Sequence, residues 1–237
     1  MAKVFIVGAG PGDPGLITVK GMDLLMRADV LIYAGSLVNQ ELVDRCPAAI
    51  KLNSWGMSLE ETGDAIEEGL RAGKFVVRLH SGDPAIFGSI VEQMADLEKR
   101  GIDADIVPGV SSMFAASAAL KTQLTLKGVS DTLIITRPAG ETLEADNIAE
   151  LSRHGASMVI FLGTDKLEDI MKRVEYPPET PAAVVYHASW PDQKIVKGTV
   201  QDIAAKAKEA GIEKTALIMI GGVVDPFSRF ERSVLYS

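Results

Sequence analysis

The chain has 237 residues, 47% of them apolar and 24% charged, and a formal net charge of −8 at pH 7. This composition is typical of a soluble globular protein with one large or two small domains, and the negative charge argues against a nucleic-acid binder, which presents a basic face. No apolar run approaches the length of a membrane span, and no secretion signal is predicted. The single cysteine, Cys46, excludes an internal disulfide, so we expect a cytoplasmic protein in which this side chain is buried.

The first predicted strand, 3–7, is a continuous apolar run that enters a glycine-rich loop at 8–15. An uninterrupted apolar strand is typical of a parallel sheet that is covered on both faces. The loop resembles a dinucleotide-binding fingerprint, but Asp13 stands where the third glycine of that fingerprint belongs. A carboxylate there would repel a pyrophosphate, so a nicotinamide-dependent oxidoreductase is disfavoured. We predict that the next helix begins only after Thr18.

Strands and helices alternate through the rest of the first half. Strands are predicted at 29–33, 49–52, 75–79 and 105–107, and helices at 19–28, 39–45, 58–72, 86–100 and 113–120. Ser58 and Glu61 have the spacing of a capping box, which predicts that a helix begins there.

Three of the predicted strands run into turns that combine glycine with proline, at 8–15, 81–88 and 108–112. Because the carboxyl ends of parallel strands lie at one edge of a sheet, we expect the three turns to converge on one ligand cleft. Asp83 is the central candidate, since Pro84 biases it to an extended conformation at the end of a strand. The alternative is a tight turn in which Asp83 only caps a helix.

The second half repeats the alternation after a polar link at 121–130. Strands are predicted at 132–136, 157–162, 182–186, 194–196 and 216–220, and helices at 146–154, 165–174 and 200–210. One antiparallel hairpin is expected through 189–192. We therefore predict two α/β domains, 1–120 and 121–237, with mainly parallel sheets and a cofactor cleft between them.

Other kinds of site find little support in the sequence. His80, His154 and His187 lack metal-ligand spacing, so no metal site is predicted. His80 and His187 each lie at a predicted strand end, where either could face the cleft, but a hydrogen-bonded structural role is favoured for both. There is no nucleophile elbow and no phosphate-binding loop. Trp55 and Trp190 are expected to be packing residues with one edge in solvent, and Trp190 is also a candidate wall of a ligand site.

The ordered motifs at 7–14, 81–88 and 107–112 resemble those of the tetrapyrrole methylases, and the match extends over nearly the whole chain. The segment 33–38 is similar to the branch of that family that methylates carbon 11 of precorrin-4 or cobalt-precorrin-4 in cobalamin synthesis. The resemblance implies two α/β domains, S-adenosylmethionine as cofactor and S-adenosylhomocysteine as its product. It also implies a small-molecule tetrapyrrole substrate and a homodimer. We expect no nucleic-acid partner because of the net charge of −8, and no membrane partner because no apolar run approaches the length of a span.

The resemblance also implies site residues, position by position. The family's cofactor contacts fall on Pro11, Ser81, Gly82, Asp83, Ile86, Ser111, Ser112, Leu162 and Ala188. Asp83 is expected to hold a hydroxyl or ammonium group of the cofactor. The branch that acts on uroporphyrinogen III carries an aspartate, proposed as a base, directly after the tyrosine. Here that position is Ala34, so no catalytic base is assigned.

The substrate is a polycarboxylate, and Lys127, Arg137 and Lys166 are candidates to bind it because of their loop positions. Three alternative functions stay open. The chain could methylate another tetrapyrrole position, such as one in uroporphyrinogen III, or it could be an RNA or protein methyltransferase of the same fold. It could also bind a ligand without turnover. The sequence does not indicate whether the substrate carries cobalt.

Overall fold

The structure is a computed structural model that describes residues 3–141, 143–228 and 230–232. The chain divides into two compact units, Met1–Ser112 and Met113–Ser237. The helix that was predicted to close the first domain, at 113–120, therefore belongs to the second unit. Its residues Met113, Ala115 and Ala116 are buried against strands of the second sheet.

The first unit is built on a five-stranded parallel sheet. Its strands are β1 (Lys3–Gly8), β2 (Val30–Tyr33), β3 (Ile50–Asn53), β4 (Val76–His80) and β5 (Asp103–Val107), in the spatial order β3-β2-β4-β1-β5. Its helices are α1 (Val19–Leu25), α2 (Gln40–Arg45), α3 (Leu59–Arg71) and α4 (Ile90–Lys99). Every strand pairing in this sheet is parallel, so all five strands end at the same edge.

Helices cover both faces of this sheet, which explains why its central strands are continuous apolar runs. Within β4, Val77 packs with α1 and α2, whereas its neighbour Val76 packs with α3 and α4. Successive side chains of a strand point to opposite faces, so a strand buried on both sides shows no polar alternation. The predicted capping box is present at the start of α3, where Ser58 and Glu61 each accept a hydrogen bond from the other's backbone amide.

The second unit contains another five-stranded sheet. Its strands are β6 (Leu133–Thr136), β7 (Ser157–Ile160), β8 (Pro181–Tyr186), β9 (Lys194–Thr199) and β10 (Ala216–Ile220), in the spatial order β6-β7-β10-β8-β9. Its helices are α5 (Ser112–Ala119), α6 (Ile148–Ser152), α7 (Leu167–Arg173) and α8 (Ile203–Glu209). One face packs against α6, α7 and α8 and the other against α5.

The pairing within this second sheet corrects one expectation. The β8–β9 hairpin was predicted, but β10 is also antiparallel, and it lies between β7 and β8. Among the residues that the structure describes, the β6–β7 pairing is the one parallel pairing of this sheet. Over both sheets, five of the eight pairings among the described residues are parallel, and the predicted α/β class with mainly parallel sheets is confirmed.

Cys46 is buried, as predicted, with an exposed fraction of 2%. Its Sγ lies 3.3 Å from the carbonyl oxygen of Leu25 and donates to it, and burial raises the pKa of the thiol. Within the described residues no helix is long and apolar enough to cross a bilayer. The same part of the chain contains no cluster of His, Cys, Asp and Glu side chains that could hold a metal ion.

Candidate functional site

The three glycine-containing turns of the first unit meet at one edge of its sheet, as predicted. They follow β1, β4 and β5, which are neighbours in the sheet and run parallel. Gly10 and Gly82 exchange a reciprocal pair of backbone hydrogen bonds, with N–O distances of 3.2 and 2.9 Å. The amide of Ala9 also donates to the His80 carbonyl oxygen at 2.7 Å. The first two turns are therefore joined through their backbones.

Glycine is required where the turns touch. A Cβ built on Gly109 would lie 2.1 Å from the carbonyl oxygen of Gly82, and a Cβ on Gly8 would lie 2.6 Å from the Gly109 Cα. Real Cβ atoms do not approach other heavy atoms so closely, so both positions accept only glycine without a shift of the backbone. The three turns form a close-packed backbone cluster, which we call the turn cluster (residues 8–15, 81–88 and 108–112).

Asp83 links two of these turns through its carboxylate. Its Oδ2 accepts a hydrogen bond from the backbone amide of Gly109 at 2.8 Å, and its Oδ1 accepts one from the amide of Ala85, also at 2.8 Å. The contact with Gly109 joins residues that are 26 positions apart in the chain. Asp83 thus fixes the geometry of the turn cluster itself, in addition to any contact that it makes with a ligand.

The glycine loop after β1 does not lead directly into a helix. Asp13 caps a short 3-10 turn at Pro14–Leu16, where its Oδ1 accepts from the Gly15 amide at 2.7 Å. Helix α1 begins at Val19, as predicted, with the Thr18 hydroxyl accepting from the Gly21 amide. This arrangement differs from a dinucleotide-binding loop, in which the helix N-terminus faces the pyrophosphate.

The segment 84–89 corrects a second expectation. We predicted a helix from 86 to 100, but α4 begins only at Ile90. Phe87 and Ser89 have φ angles of 52° and 47°, in the left-handed region, which interrupts a right-handed helix. Ile86, one of the predicted cofactor contacts, therefore lies in an irregular loop at the edge of the sheet.

The half-buried side chain of His80 and the side chain of Gln93 contact the backbone of this loop. His80 Nε2 lies 3.1 Å from the Gly88 carbonyl oxygen, and its Nδ1 lies 3.2 Å from the Ser81 carbonyl oxygen. Gln93 also donates to the Gly88 carbonyl oxygen at 3.1 Å, and its Oε1 accepts from Arg78 at 3.5 Å. Burial lowers the pKa of the Arg78 guanidinium to about 10, and its Nη1 has no partner among the described residues. The structural role expected for His80 is confirmed.

The protonation of His80 is expected to couple stability to pH. Burial is the largest influence on its pKa and lowers it, and the nearby Arg78 lowers it further, whereas the Ser81 and Gly88 carbonyls and Asp83 oppose this. Because the folded pKa lies below the unfolded value, the unfolded chain binds more protons, and stability falls as the pH drops below about 6.5. His80→Gln should lose less stability than the unsubstituted protein between pH 7.5 and pH 5, as measured by urea unfolding.

His154→Gln is the matched control for this prediction, since His154 is exposed in the second unit. It should leave the pH dependence of unfolding unchanged. Equal losses of stability in His80→Gln and the unsubstituted protein would contradict the assignment to His80.

The remaining predicted contacts of the first unit lie beside the turn cluster. Pro11 is buried, Ser111 is 3% exposed and Ser112 is half-buried at the start of α5. A Cβ on Gly82, which has a φ of 59°, would approach the Ser111 Cα to 4.0 Å. The structure thus brings residues from all three predicted motifs of the first unit together.

Leu162 and Ala188 lie at one edge of the second sheet. Leu162 follows β7 and Ala188 follows β8, and β10 begins between them because it runs antiparallel to both. Leu162 is 62% exposed with a φ of 53°, whereas Ala188 is 5% exposed. The turn after β8 is braced by His187, whose Nδ1 lies 3.0 Å from both carboxylate oxygens of Asp192. The hydrogen-bonded role expected for His187 is confirmed.

The three candidate cations for substrate binding also interact with other groups of the chain. Lys166 donates to the carbonyl oxygen of Ala139, and Lys127 lies 3.8 Å from a carboxylate oxygen of Glu231. Arg137 is half-buried in the turn that follows β6. Their role toward a substrate stays a prediction.

The residue types of the turn cluster limit the kind of ligand that it can bind. Its three segments contain carboxylates, hydroxyls and backbone groups but no lysine or arginine. Phosphate sites in proteins commonly use lysine or arginine side chains, and the turn cluster contains neither. The turn cluster instead suits a ligand that carries positive charge and several hydrogen-bonding groups.

Comparison with known proteins agrees with this geometry. Residues 3–204 match the sequence profile of the Tetrapyrrole (Corrin/Porphyrin) Methylases, and the chain belongs to that family. It is 53% identical over 230 residues to a cobalt-precorrin-4 C(11)-methyltransferase of Methanocaldococcus jannaschii, covering 94% of this chain and 89% of that protein.

Two solved structures support the same assignment. One, a cobalt precorrin-4 methyltransferase described as a cobalamin biosynthetic enzyme, superposes with a TM-score of 0.91 at 44% identity, covering 95% of this chain and 97% of the other. The other is a uroporphyrin-III C-methyl transferase from Thermus thermophilus complexed with S-adenosyl homocysteine. It superposes with a TM-score of 0.81 at 30% identity, covering 95% of this chain and all of the other. The predicted family and fold are confirmed.

Proposed function

We propose that this chain is an S-adenosylmethionine-dependent methyltransferase that transfers a methyl group to carbon 11 of precorrin-4 or cobalt-precorrin-4 in cobalamin biosynthesis. The observation that carries the proposal is the turn cluster, which brings three family motifs together at one sheet edge and contains no basic side chain. Backbone hydrogen bonds between Gly10 and Gly82 join the first two motifs, and the Asp83 carboxylate joins the second to the third. The 53% identity to a protein with this activity, over most of both chains, supports the substrate assignment.

The residues of the turn cluster fit the proposed cofactor by their chemistry. S-adenosylmethionine carries a sulfonium, an ammonium, a carboxylate and ribose hydroxyls, and its charge is net positive. Carboxylate, hydroxyl and carbonyl oxygens are suitable acceptors for these groups, and backbone amides are suitable donors. We propose that Pro11, Ser81, Gly82, Asp83 and Ile86 contribute to this site. Ser111, Ser112, Leu162 and Ala188 complete the set of proposed cofactor contacts.

When bound, the cofactor supplies a methyl group that a nucleophilic ring carbon of the substrate takes, while the sulfur keeps the electron pair of the broken bond. The chain's own contribution is then to align the two reactants and exclude water. Holding reactants in line contributes up to about 7–11 kcal/mol to lowering a barrier. The rigid backbone contacts among Gly8, Gly82 and Gly109 suit this role because they leave little freedom for movement.

No catalytic base is part of the proposal. Ala34, which stands where the uroporphyrinogen-III branch carries an aspartate, donates its backbone amide to the Leu79 carbonyl oxygen at 3.1 Å and has no ionisable side chain. Any proton that the macrocycle loses is released from elsewhere in the ring system after the methyl group has been transferred, and solvent can accept it.

Two measurements test the proposed function. Calorimetric titration should show that S-adenosylhomocysteine binds and that NAD does not. Anaerobic incubation with S-adenosylmethionine labelled with carbon-13 in its methyl group, and with metal-free or cobalt-loaded precorrin-4, should add one methyl group, detected by mass spectrometry and assigned to carbon 11 by NMR.

The outcomes separate the alternatives. Methylation of uroporphyrinogen III instead would identify another branch of the family, and cofactor binding without turnover on any tetrapyrrole would identify a binding module. Transfer to RNA or to a protein side chain would identify a different substrate class. Whichever form of precorrin-4 reacts faster shows whether cobalt is already in the substrate.

We also propose that the protein acts in the cytoplasm as a homodimer without a nucleic-acid partner. The single buried cysteine, the net charge of −8 and the family resemblance support this proposal. Light scattering coupled to gel filtration should give twice the chain mass.

A further inference from the structure

Trp55 does not pack as the sequence predicted. Its side chain is 79% exposed, although it was expected to be a packing residue with only one edge in solvent. It lies two residues after the end of β3 at Asn53, and therefore at the same edge of the first sheet as the turn cluster. Leu37, after the neighbouring strand β2, is 44% exposed at this edge.

The position of Trp55 is nevertheless fixed. Its backbone amide donates to the Asn53 side-chain oxygen at 2.9 Å, and the amide and hydroxyl of Ser54 both donate to the Tyr33 carbonyl oxygen, at 3.0 and 3.1 Å. The indole lies against the backbone of Gly35, where a Cβ would come within 2.9 Å of its Cε3. Gly35 also has a φ of 62°, which favours glycine. An aromatic ring is therefore held in a defined place, with most of its surface open to solvent.

The distance along the sheet edge suits a large ligand. Strand β3 is two positions from β4 and three from β1 in the order β3-β2-β4-β1-β5. With neighbouring strands about 4.8 Å apart, β3 is about 10 Å from β4 and about 14 Å from β1. A four-pyrrole macrocycle extends over several strand spacings. It can therefore reach Trp55 while one of its carbons lies at a methyl donor on the turn cluster.

The charge of this edge also suits such a ligand. The segment that contains Gly35, 33–39, and the segment that contains Trp55, 53–58, have no charged side chain, although the chain as a whole has a net charge of −8. An uncharged surface next to an aromatic ring accepts the apolar face of a macrocycle without repelling the carboxylates at its rim.

We propose that Trp55 is a substrate-binding residue that stacks on the face of the tetrapyrrole and contributes to the selection of this substrate. The inference rests on the proposed function, since it takes the substrate class from there. It assigns a role to a side chain outside the three family motifs, on a strand that carries none of the predicted cofactor contacts.

Trp55→Ala should raise KM for precorrin-4 about tenfold, which corresponds to about 1.4 kcal/mol, while kcat changes little. The Kd for S-adenosylhomocysteine should not change. Trp55→Phe retains an aromatic face and should recover most of the loss. The matched control is Ile50→Ala, which removes a 47% exposed apolar side chain at the opposite end of the same strand and should leave KM unchanged.

A second measurement reports on contact without turnover. In a Trp190→Phe background, Trp55 is the only tryptophan, because the chain has two. Acrylamide should quench its fluorescence efficiently in the free protein and with S-adenosylhomocysteine. Addition of precorrin-4 should reduce the quenching constant at least twofold. Gly35→Ala, which displaces the indole, should weaken this protection.

The results that would overturn the proposal differ from those that would overturn the proposed function. If the protein methylates precorrin-4 but Trp55→Ala leaves KM and acrylamide protection unchanged, only the role of Trp55 is wrong. If Trp55→Ala halves the mass in light scattering, Trp55 is a contact between copies of the chain and the stacking proposal is wrong. If no tetrapyrrole is methylated while S-adenosylhomocysteine still binds, the proposed function is wrong, and the role proposed for Trp55 falls with it because it takes its substrate from that function.

Discussion

Gly109→Ala is expected to abolish binding of S-adenosylhomocysteine and to lower the free energy of unfolding by about 3 kcal/mol. The added methyl group would lie 2.1 Å from the Gly82 carbonyl oxygen and 2.8 Å from the Gly8 Cα. Both neighbours are backbone atoms in turns that hydrogen bonds already hold, so the backbone itself must shift. Movement of any turn separates residues that the proposed site requires together. Calorimetry and urea unfolding measure the two effects.

Gly140→Ala is the matched control for this substitution. Gly140 lies in the second unit, and the nearest atom to a Cβ there is the flexible end of Lys166, at 3.5 Å. The variant should retain cofactor affinity and most of its stability. Unchanged affinity in Gly109→Ala would show that the ligand does not bind at the turn cluster.

Asp83→Ala is expected to reduce both stability and cofactor affinity, because it removes the acceptor for two backbone amides. Hydrogen bonds to an ionised group contribute about 1.5–3 kcal/mol each, and the half-buried position of Asp83 favours the lower end of that range. We expect a loss of about 3 kcal/mol in the free energy of unfolding and at least a hundredfold weaker binding of S-adenosylhomocysteine. Asp83→Asn retains one acceptor oxygen, so its stability and its affinity for S-adenosylhomocysteine should lie between those of Asp83→Ala and the unsubstituted protein.

Asp202 also accepts a hydrogen bond from a backbone amide, and its substitution is a control that separates a loss of stability from a loss of cofactor affinity. Asp202 accepts from the Thr199 amide at 2.7 Å in the second unit. Asp202→Ala should lower stability without changing the affinity for S-adenosylhomocysteine. If Asp83→Ala behaves like Asp202→Ala, Asp83 is a structural residue only.

The sequence predicted the first unit well because its local signals agree with one another. Continuous apolar runs such as 3–7 mark strands buried on both faces, and the glycine turns that follow them mark where those strands end. The parallel order then brings the turns to one edge. What the sequence did not contain was the contact between Asp83 and Gly109, because residues 26 positions apart meet only after the sheet has formed.

The second unit was harder to predict because a buried strand does not show its direction. The run Ala216–Ile220 is apolar throughout, as a central parallel strand would be, yet it pairs antiparallel on both sides. Its insertion between β7 and β8 depends on the path of the chain rather than on local composition. The early start predicted for α4 was wrong for a different reason, since no residue type at Phe87 or Ser89 signals a left-handed backbone.

The exposure of Trp55 could not be predicted from the sequence either. Tryptophan is usually well buried, and the glycine against which it lies is 20 positions away, in the turn that follows β2. A turn containing a left-handed glycine such as Gly35 can be recognised only once φ is known.

The buried thiol of Cys46 makes the protein convenient to label. Maleimides and iodoacetamides react with the thiolate, and this side chain is both inaccessible and shifted toward its protonated form. A cysteine introduced at an exposed position such as Val91 on α4 would therefore be modified selectively, without first removing the native one. A dye attached there would follow the arrival of a coloured macrocycle in real time by energy transfer.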